Sequence, residues 1–201
     1  MTTRCLALSI AALALTACAS TPPQYYTLLS PAAAASTPAS NAFQLEVLPV
    51  DIPAQVESPQ MVIRSAAGEM SKAEGHRWIA PLDAEIRGAL SADLSQQLGA
   101  RDVYGLTYGN TLKTYRVALK VQRFDSAPGA YARIDAVWTV TALDQPKAIS
   151  ACSSSVSQTI GAGYDALALG HQQALATIAA QIAGSISALQ AGRAAPVCPG
   201  G

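Results

Sequence analysis

Two runs of strict alternation constrain this chain more than any other feature. Tyr115, Val117, Leu119 and Val121 fall at every second position, with Arg116, Lys120 and Gln122 on the other face. Ile134, Ala136, Trp138 and Val140 repeat the pattern against Arg133, Asp135, Val137 and Thr139. Successive side chains of a strand point to opposite faces, so each run predicts one buried and one solvated face. Asp125 to Gly129 turns the chain back between them, and the pair reads as a long antiparallel hairpin. Asp144-Gln145-Pro146-Lys147 supplies a further turn before a serine-rich strand from Ile149 to Thr159. Three neighbouring antiparallel strands result; the inner face of the third is not legible.

The apolar face of such a sheet needs a cover, and two helical patterns provide it. Leu82, Ile86, Leu90, Leu94 and Leu98 recur every four residues. Pro81 suits the first turn, Asp83 and Glu85 place negative charge at the positive end of the helix dipole, and Gly99 stops it. The predicted helix is 82–98. A second runs from Tyr164 through Leu167, His171, Leu175, Ile178, Ile182, Ile186 and Leu189 to Gln190, rich in alanine that permits close approach to a sheet. Shorter strands are predicted at Phe43 to Leu48, stopping at Pro49, and at Gln60 to Arg64. A turn at Ala67-Gly68 leads toward His76-Arg77-Trp78-Ile79, and Val103 to Tyr108 reads as a short strand or turn. The order strands, helix, strands, helix predicts a single α+β domain over 42–190: a mainly antiparallel sheet with two amphipathic helices packed on one face, followed by an irregular tail at 191–201.

The amino end reads as an address. Residues 1–17 carry Arg4 and then an uncharged run from Cys5 to Ala17, too short for a permanent membrane span and suited to a secretory signal. Leu15-Thr16-Ala17-Cys18 resembles a bacterial lipobox, in which the chain is cut before the cysteine and the thiol carries diacylglycerol. Cys18 is therefore the expected lipidation site, with multiple acyl chains, palmitate among them, holding the protein in a membrane. Ala19 in place of an aspartate resembles an outer-membrane sorting signal; inner-membrane retention is the alternative. Residues 18–41 read as the lipidated cysteine and a flexible Pro/Ala/Ser/Thr linker, broken by one apolar knot, Tyr25-Tyr26-Thr27-Leu28-Leu29, expected to lie on the body as a short strand or clamp.

Composition excludes several functions. The 201 residues hold 13 Lys+Arg and 13 Asp+Glu, which removes the electrostatic footprint of a nucleic-acid binder. Charged residues make up 13% against roughly 25% in an average soluble domain, so part of the surface is expected to be covered. Two histidines, no Cys-x-x-Cys and no His cluster leave neither a metal site nor a cofactor site. In an oxidising periplasm Cys152 and Cys198 either pair, tying the tail to the domain, or stay as free thiols.

The lipobox, Tyr25-Tyr26-Thr27-Leu28, the Phe43-to-Val50 strand, Pro59-Gln60-Met61-Val62-Ile63-Arg64, Arg77-Trp78-Ile79-Ala80-Pro81-Leu82 and the Val117-to-Asp125 strand, taken in order, resemble the ABC-type transport auxiliary lipoprotein family of the PqiC/YmbA type. Tyr164-Asp165-Ala166-Leu167 echoes it too. The resemblance implies a periplasmic lipoprotein anchored in the outer membrane. It would serve as the auxiliary or docking subunit of an ABC/MCE-type intermembrane lipid transport system that maintains envelope integrity. The partners implied are an MCE-domain periplasmic protein, its ABC or integral-membrane components, and sister copies in a homo-oligomeric ring. The alternative is an assembly lipoprotein that stabilises another envelope complex without handling lipid.

Individual residues divide between contact and core. Tyr25, Tyr26, Arg64 and Trp78 are the candidate partner or subunit contacts. For Trp78 the competing reading is packing under the first helix, and for Arg64 a solvated strand-end charge. Trp138 and His171 belong to the core by their spacing. Asp83 and Glu85 are two apart on a helix and do not face a shared site, and Ser153 to Ser155 lack a nucleophile-elbow pattern, so no enzyme is expected.

Overall fold

The computed structural model describes residues 22–31, 42–65, 67–107, 112–145, 149–193 and 198. The signal, Cys18, the 32–41 part of the linker, Pro146-Lys147 of the second turn and most of the 191–201 tail lie outside the described residues. Strands β1 (Gln24–Tyr26), β2 (Phe43–Val47), β3 (Gln60–Arg64) and β4 (Met70–Trp78) precede helix α1 (Leu82–Leu98). Then follow β5 (Arg101–Asp102), β6 (Lys113–Ala127), β7 (Tyr131–Ala142), β8 (Ile149–Thr159) and helix α2 (Tyr164–Gln190).

The expected hairpin forms, with Val117 opposite Val140 and Leu119 opposite Trp138, and β8 extends it with Cys152 opposite Trp138. The turn is tighter than its polar sequence suggests: β6 runs through Asp125 to Ala127, Ala130 N donates to Ala127 O at 2.9 Å, and Gly129 takes φ +78°. α1 occupies the predicted span, with Pro81 just outside it as the N-cap residue and Gly99 left-handed at φ +59° as its C-cap.

The strands divide into two sheets rather than one: β1-β4-β3, and β5-β2-β6-β7-β8. Two features accompany the division. β2 is parallel to both β5 and β6, because the chain passes through β3, β4 and α1 before returning, and a long crossover is what parallel pairing requires. A register shift in β6 between Val121 and Arg123 then interrupts the period of two, so Phe124 joins the buried face where β3 lies beside β6.

Both sheets share one core. α2 packs on β7, β8 and α1, burying Leu175, Ile178, Ile182 and Ile186 against Ile134, Ala136 and Trp138. Trp138 Nε1 donates to Ser154 Oγ at 2.8 Å, and Ser154 bonds to Gln181 of α2, which identifies Ser154 and Val156 as inward in β8. Gly170 marks the closest approach: a Cβ there would lie 2.5 Å from Ile160 Cγ2 and 2.9 Å from Ala132 Cβ. Under the small sheet, His171 is fully buried, stacked on Phe124 at 3.9 Å, with Nε2 2.8 Å from Ser126 Oγ. Burial pushes its pKa down to about 3, so it is a neutral core residue. Cys152 and Cys198 are joined in a disulfide, with Cα atoms 5.3 Å apart.

Candidate docking surfaces

The apolar knot in the segment read as linker is part of the body. β1 pairs in parallel with β4, placing Tyr25 beside Arg77 and Tyr26 beside Trp78, and Ile79 N donates to Tyr26 O at 2.8 Å. Leu28 is 1% exposed. Its backbone N donates to Glu85 Oε2 at 2.7 Å, and Thr27 Oγ1 donates to the same oxygen at 2.8 Å. Glu85, read from sequence as a helix-dipole charge, therefore clamps β1 onto α1. From the other side Gln172 Nε2 of α2 donates to Thr27 O at 2.9 Å. The Tyr26 hydroxyl lies 2.9 Å from His76 Nδ1, and His76 stacks on Tyr164 at 3.6 Å. Burial, with Asp165 and Tyr164 nearby, raises the Tyr26 phenol above its ordinary pKa.

A groove of about 840 Å³ opens beside this clamp, lined in part by Tyr25, Ile79, Pro59 and Arg77 and bounded across from them by Pro49 and Lys120. Tyr25 and Ile79 are 54% and 59% exposed. Asp51, Glu57 and Asp83 add negative charge to its walls. Arg77 Nε is buried without a hydrogen-bond partner among the described residues.

The second surface is the face of the five-stranded sheet turned away from α2, at whose edge Cys198 of the tail lies among the described residues. Two rows cross its centre: Lys120, Val137 and Ser153, and beside them Ala118, Thr139 and Ala151. These residues, with Leu48 and Pro49, line a shallow hollow of about 700 Å³. Lys120 is the sole charge in the two rows, with Asp51 4.0 Å away. Ion pairs flank them, Arg116 with Glu46 at 2.6 Å on one side and Asp135 with Arg133 at 2.9 Å on the other. Burial tends to raise Asp135, but hydrogen bonds from Arg133 and Ser155 and the charge of Arg123 outweigh it and hold the carboxyl below its usual range. The centre of the face, small-sided and with one charge, presents little desolvation cost to a partner.

The four contact candidates from sequence part company. Tyr25 is exposed at the groove, whereas Tyr26 is half-buried in the clamp. Trp78 is not an exposed anchor: it is 4% exposed, its ring edge-on to Phe124 at 6.0 Å, so packing accounts for it. Arg64 pins one sheet to the other, Nε donating to Asp125 Oδ1 at 2.7 Å and Oδ2 at 2.9 Å. Asp125, expected in a turn, is the buried half of that pair. A second buried carboxylate was equally invisible: Asp93 on α1, whose pKa desolvation raises to about 6. Among the described residues no group of three or more metal-ligating side chains forms, and no helix is long and apolar enough to cross a membrane.

Solved structures share the fold. The crystal structure of an uncharacterized protein superposes at TM-score 0.64, with 23% identity over 83% of this chain and 99% of that one. A protein from Xanthomonas campestris superposes at TM-score 0.59, with 19% identity over 86% of this chain and 98% of that one. No curated protein matches the chain. The family profile of the ABC-type transport auxiliary lipoprotein component matches residues 26–183, from β1 well into α2, and the chain belongs to that family of non-catalytic auxiliary lipoproteins.

Proposed function

We propose that this lipoprotein is the docking subunit of an ABC/MCE-type intermembrane lipid transport system, held by acylated Cys18 on the periplasmic face of the outer membrane. The observation that carries the reading is the nearly uncharged centre of the open face of the large sheet, in a chain whose folded body is family domain from β1 through most of α2. An auxiliary subunit works by contact, and Ala118, Val137, Thr139, Ala151 and Ser153 form the broad platform on which an MCE-domain partner or a sister copy in a ring would seat. The groove and the platform meet at Pro49, Asp51 and Lys120, so the two surfaces lie on adjoining sides of one body.

Two experiments test this reading. Cys18→Ser, exported behind a secretory signal whose removal needs no lipidated cysteine, leaves the fold untouched, because Cys18 precedes β1, and moves the protein from the membrane fraction to the soluble periplasm. Retention of the variant in the membrane fraction contradicts the anchor. Purification of the acylated protein in mild detergent is expected to bring down an MCE-domain protein. A different envelope protein as the sole partner would favour the assembly-lipoprotein reading instead.

A further inference from the structure

The reach of the acyl anchor is set by where the chain first joins the fold. Cys18 precedes Gln24, the first residue of β1, by six residues. Six residues span about 20 Å at most, whatever their conformation. β1 does not peel away cheaply, because Leu28 is buried and Glu85 and Gln172 hold Thr27 and Leu28 from both helices. An anchor at Cys18 therefore keeps the β1 corner within about 20 Å of the bilayer.

That corner carries the side chains such a position calls for. Tyr25 and Ile79 are more than half exposed, and Leu29, just past β1, is 46% exposed. A phenol, two aliphatic side chains and the neighbouring Arg77 match the boundary between headgroups and acyl chains, where one end of a side chain is apolar and the other wet. We infer that the Tyr25–Ile79 corner is a membrane-contact surface, seated in the headgroup region of the bilayer that holds Cys18. The inference rests on the acylation proposed above. Asp51, Glu57 and Asp83 on the groove walls mean that the short tether and the apolar side chains, not attraction to anionic lipid, hold the corner down.

The test uses the mature, acylated protein with Ile79→Cys as its one free thiol, Cys152 and Cys198 being joined. The thiol carries an environment-sensitive fluorophore, and the protein is reconstituted into phosphatidylethanolamine–phosphatidylglycerol vesicles containing spin-labelled lipid. Emission from position 79 is expected to fall at least about twofold, because a label seated in the headgroup region lies within reach of the spin-labelled lipid. A label at Leu106→Cys, in the turn beyond β5, should keep its emission. A flexible insert of about 20 residues between Ser20 and Thr21, which adds roughly 25 Å of reach, should weaken the quenching at 79. Flotation of the same vesicles reads anchoring separately. Protein that fails to float overturns the acylation and this inference with it. Protein that floats with position 79 unquenched overturns this inference alone, whether the label stays in water or is covered by a second copy.

Discussion

The two sheets share a core yet expose opposite kinds of surface. The small sheet, built from strands of 3, 9 and 5 residues, ends in large exposed side chains and is held by a few long-range polar contacts: Glu85 to Thr27 and Leu28, Arg64 to Asp125. The large sheet centres on strands of 15, 12 and 11 residues, is held by a long ladder with one register shift and by an apolar layer, and exposes small, mostly uncharged side chains at the middle of its open face. An element held by a few contacts can be released by removing one of them. A sheet held by an extended ladder behaves as a rigid platform.

The sharpest way to break this contrast is Leu28→Ala. Leu28 is buried at 1% exposure and belongs to the knot that closes the small sheet, so truncation is expected to cost about 3 kcal/mol in denaturant unfolding and to raise amide exchange in β4. An unchanged midpoint would mean that β1 is not part of the cooperative unit.

Asp125→Ala should come next. It removes the buried partner of Arg64, whose side chain keeps 30% exposure, and the partial solvation lowers the cost from that of a fully buried pair to about 2 kcal/mol. Glu46→Gln breaks a pair on the open face of the large sheet, where Arg116 is 44% exposed, and should cost less than about 1 kcal/mol. Equal losses from the two variants would erase the distinction between pinned and platform regions.

The regions separate by pH as well, through two effects that partly cancel in the wild type. His171, beneath the small sheet, has a folded pKa pushed down to about 3 from 6.5, so its contribution is present at neutral pH and is lost as pH falls below about 6.5 toward 3. Asp93, on the helix beside β2 and β5, has a folded pKa raised to about 6 from 3.8. Its burial is penalised above about pH 6, and the penalty is relieved as pH falls toward 3.8. The two oppose each other between pH 7 and 5, where each changes stability by roughly 1–2 kcal/mol. Asp93→Asn should make the protein distinctly more acid-sensitive over that range, and His171→Gln should reverse the slope. Parallel pH profiles for the two variants would contradict these environments.

What was legible in the sequence was what local periodicity encodes. The hairpin, α1, α2 and the solvated side of β7 all follow from steps of two or of three and four. The buried roles of Glu85 and Asp125 do not, because each depends on a distant residue: Leu28 lies 57 positions from Glu85, and Arg64 lies 61 from Asp125. Local position read one as a helix-dipole charge and the other as a turn residue. The split into two sheets was hidden for the same reason, since parallel partners for β1 and β2 and the register shift at Val121 are not properties of a short window. Tyr25 and the platform residue Val137 could be found from sequence. The groove that joins Tyr25 to Ile79 could not.

The most direct test of the central claim is co-purification of the acylated protein from its own envelope, comparing wild type with Val137→Arg and Ile79→Asp. Val137 is at the centre of the open face and Ile79 at the groove. A buried unpaired charge at an interface is expected to cost several kcal/mol, enough to abolish recovery of a partner. The account predicts an MCE-domain protein in the wild-type eluate, its loss with Val137→Arg and its retention with Ile79→Asp. Recovery of that protein at wild-type level with Val137→Arg, or its absence from the wild-type eluate, would contradict the account.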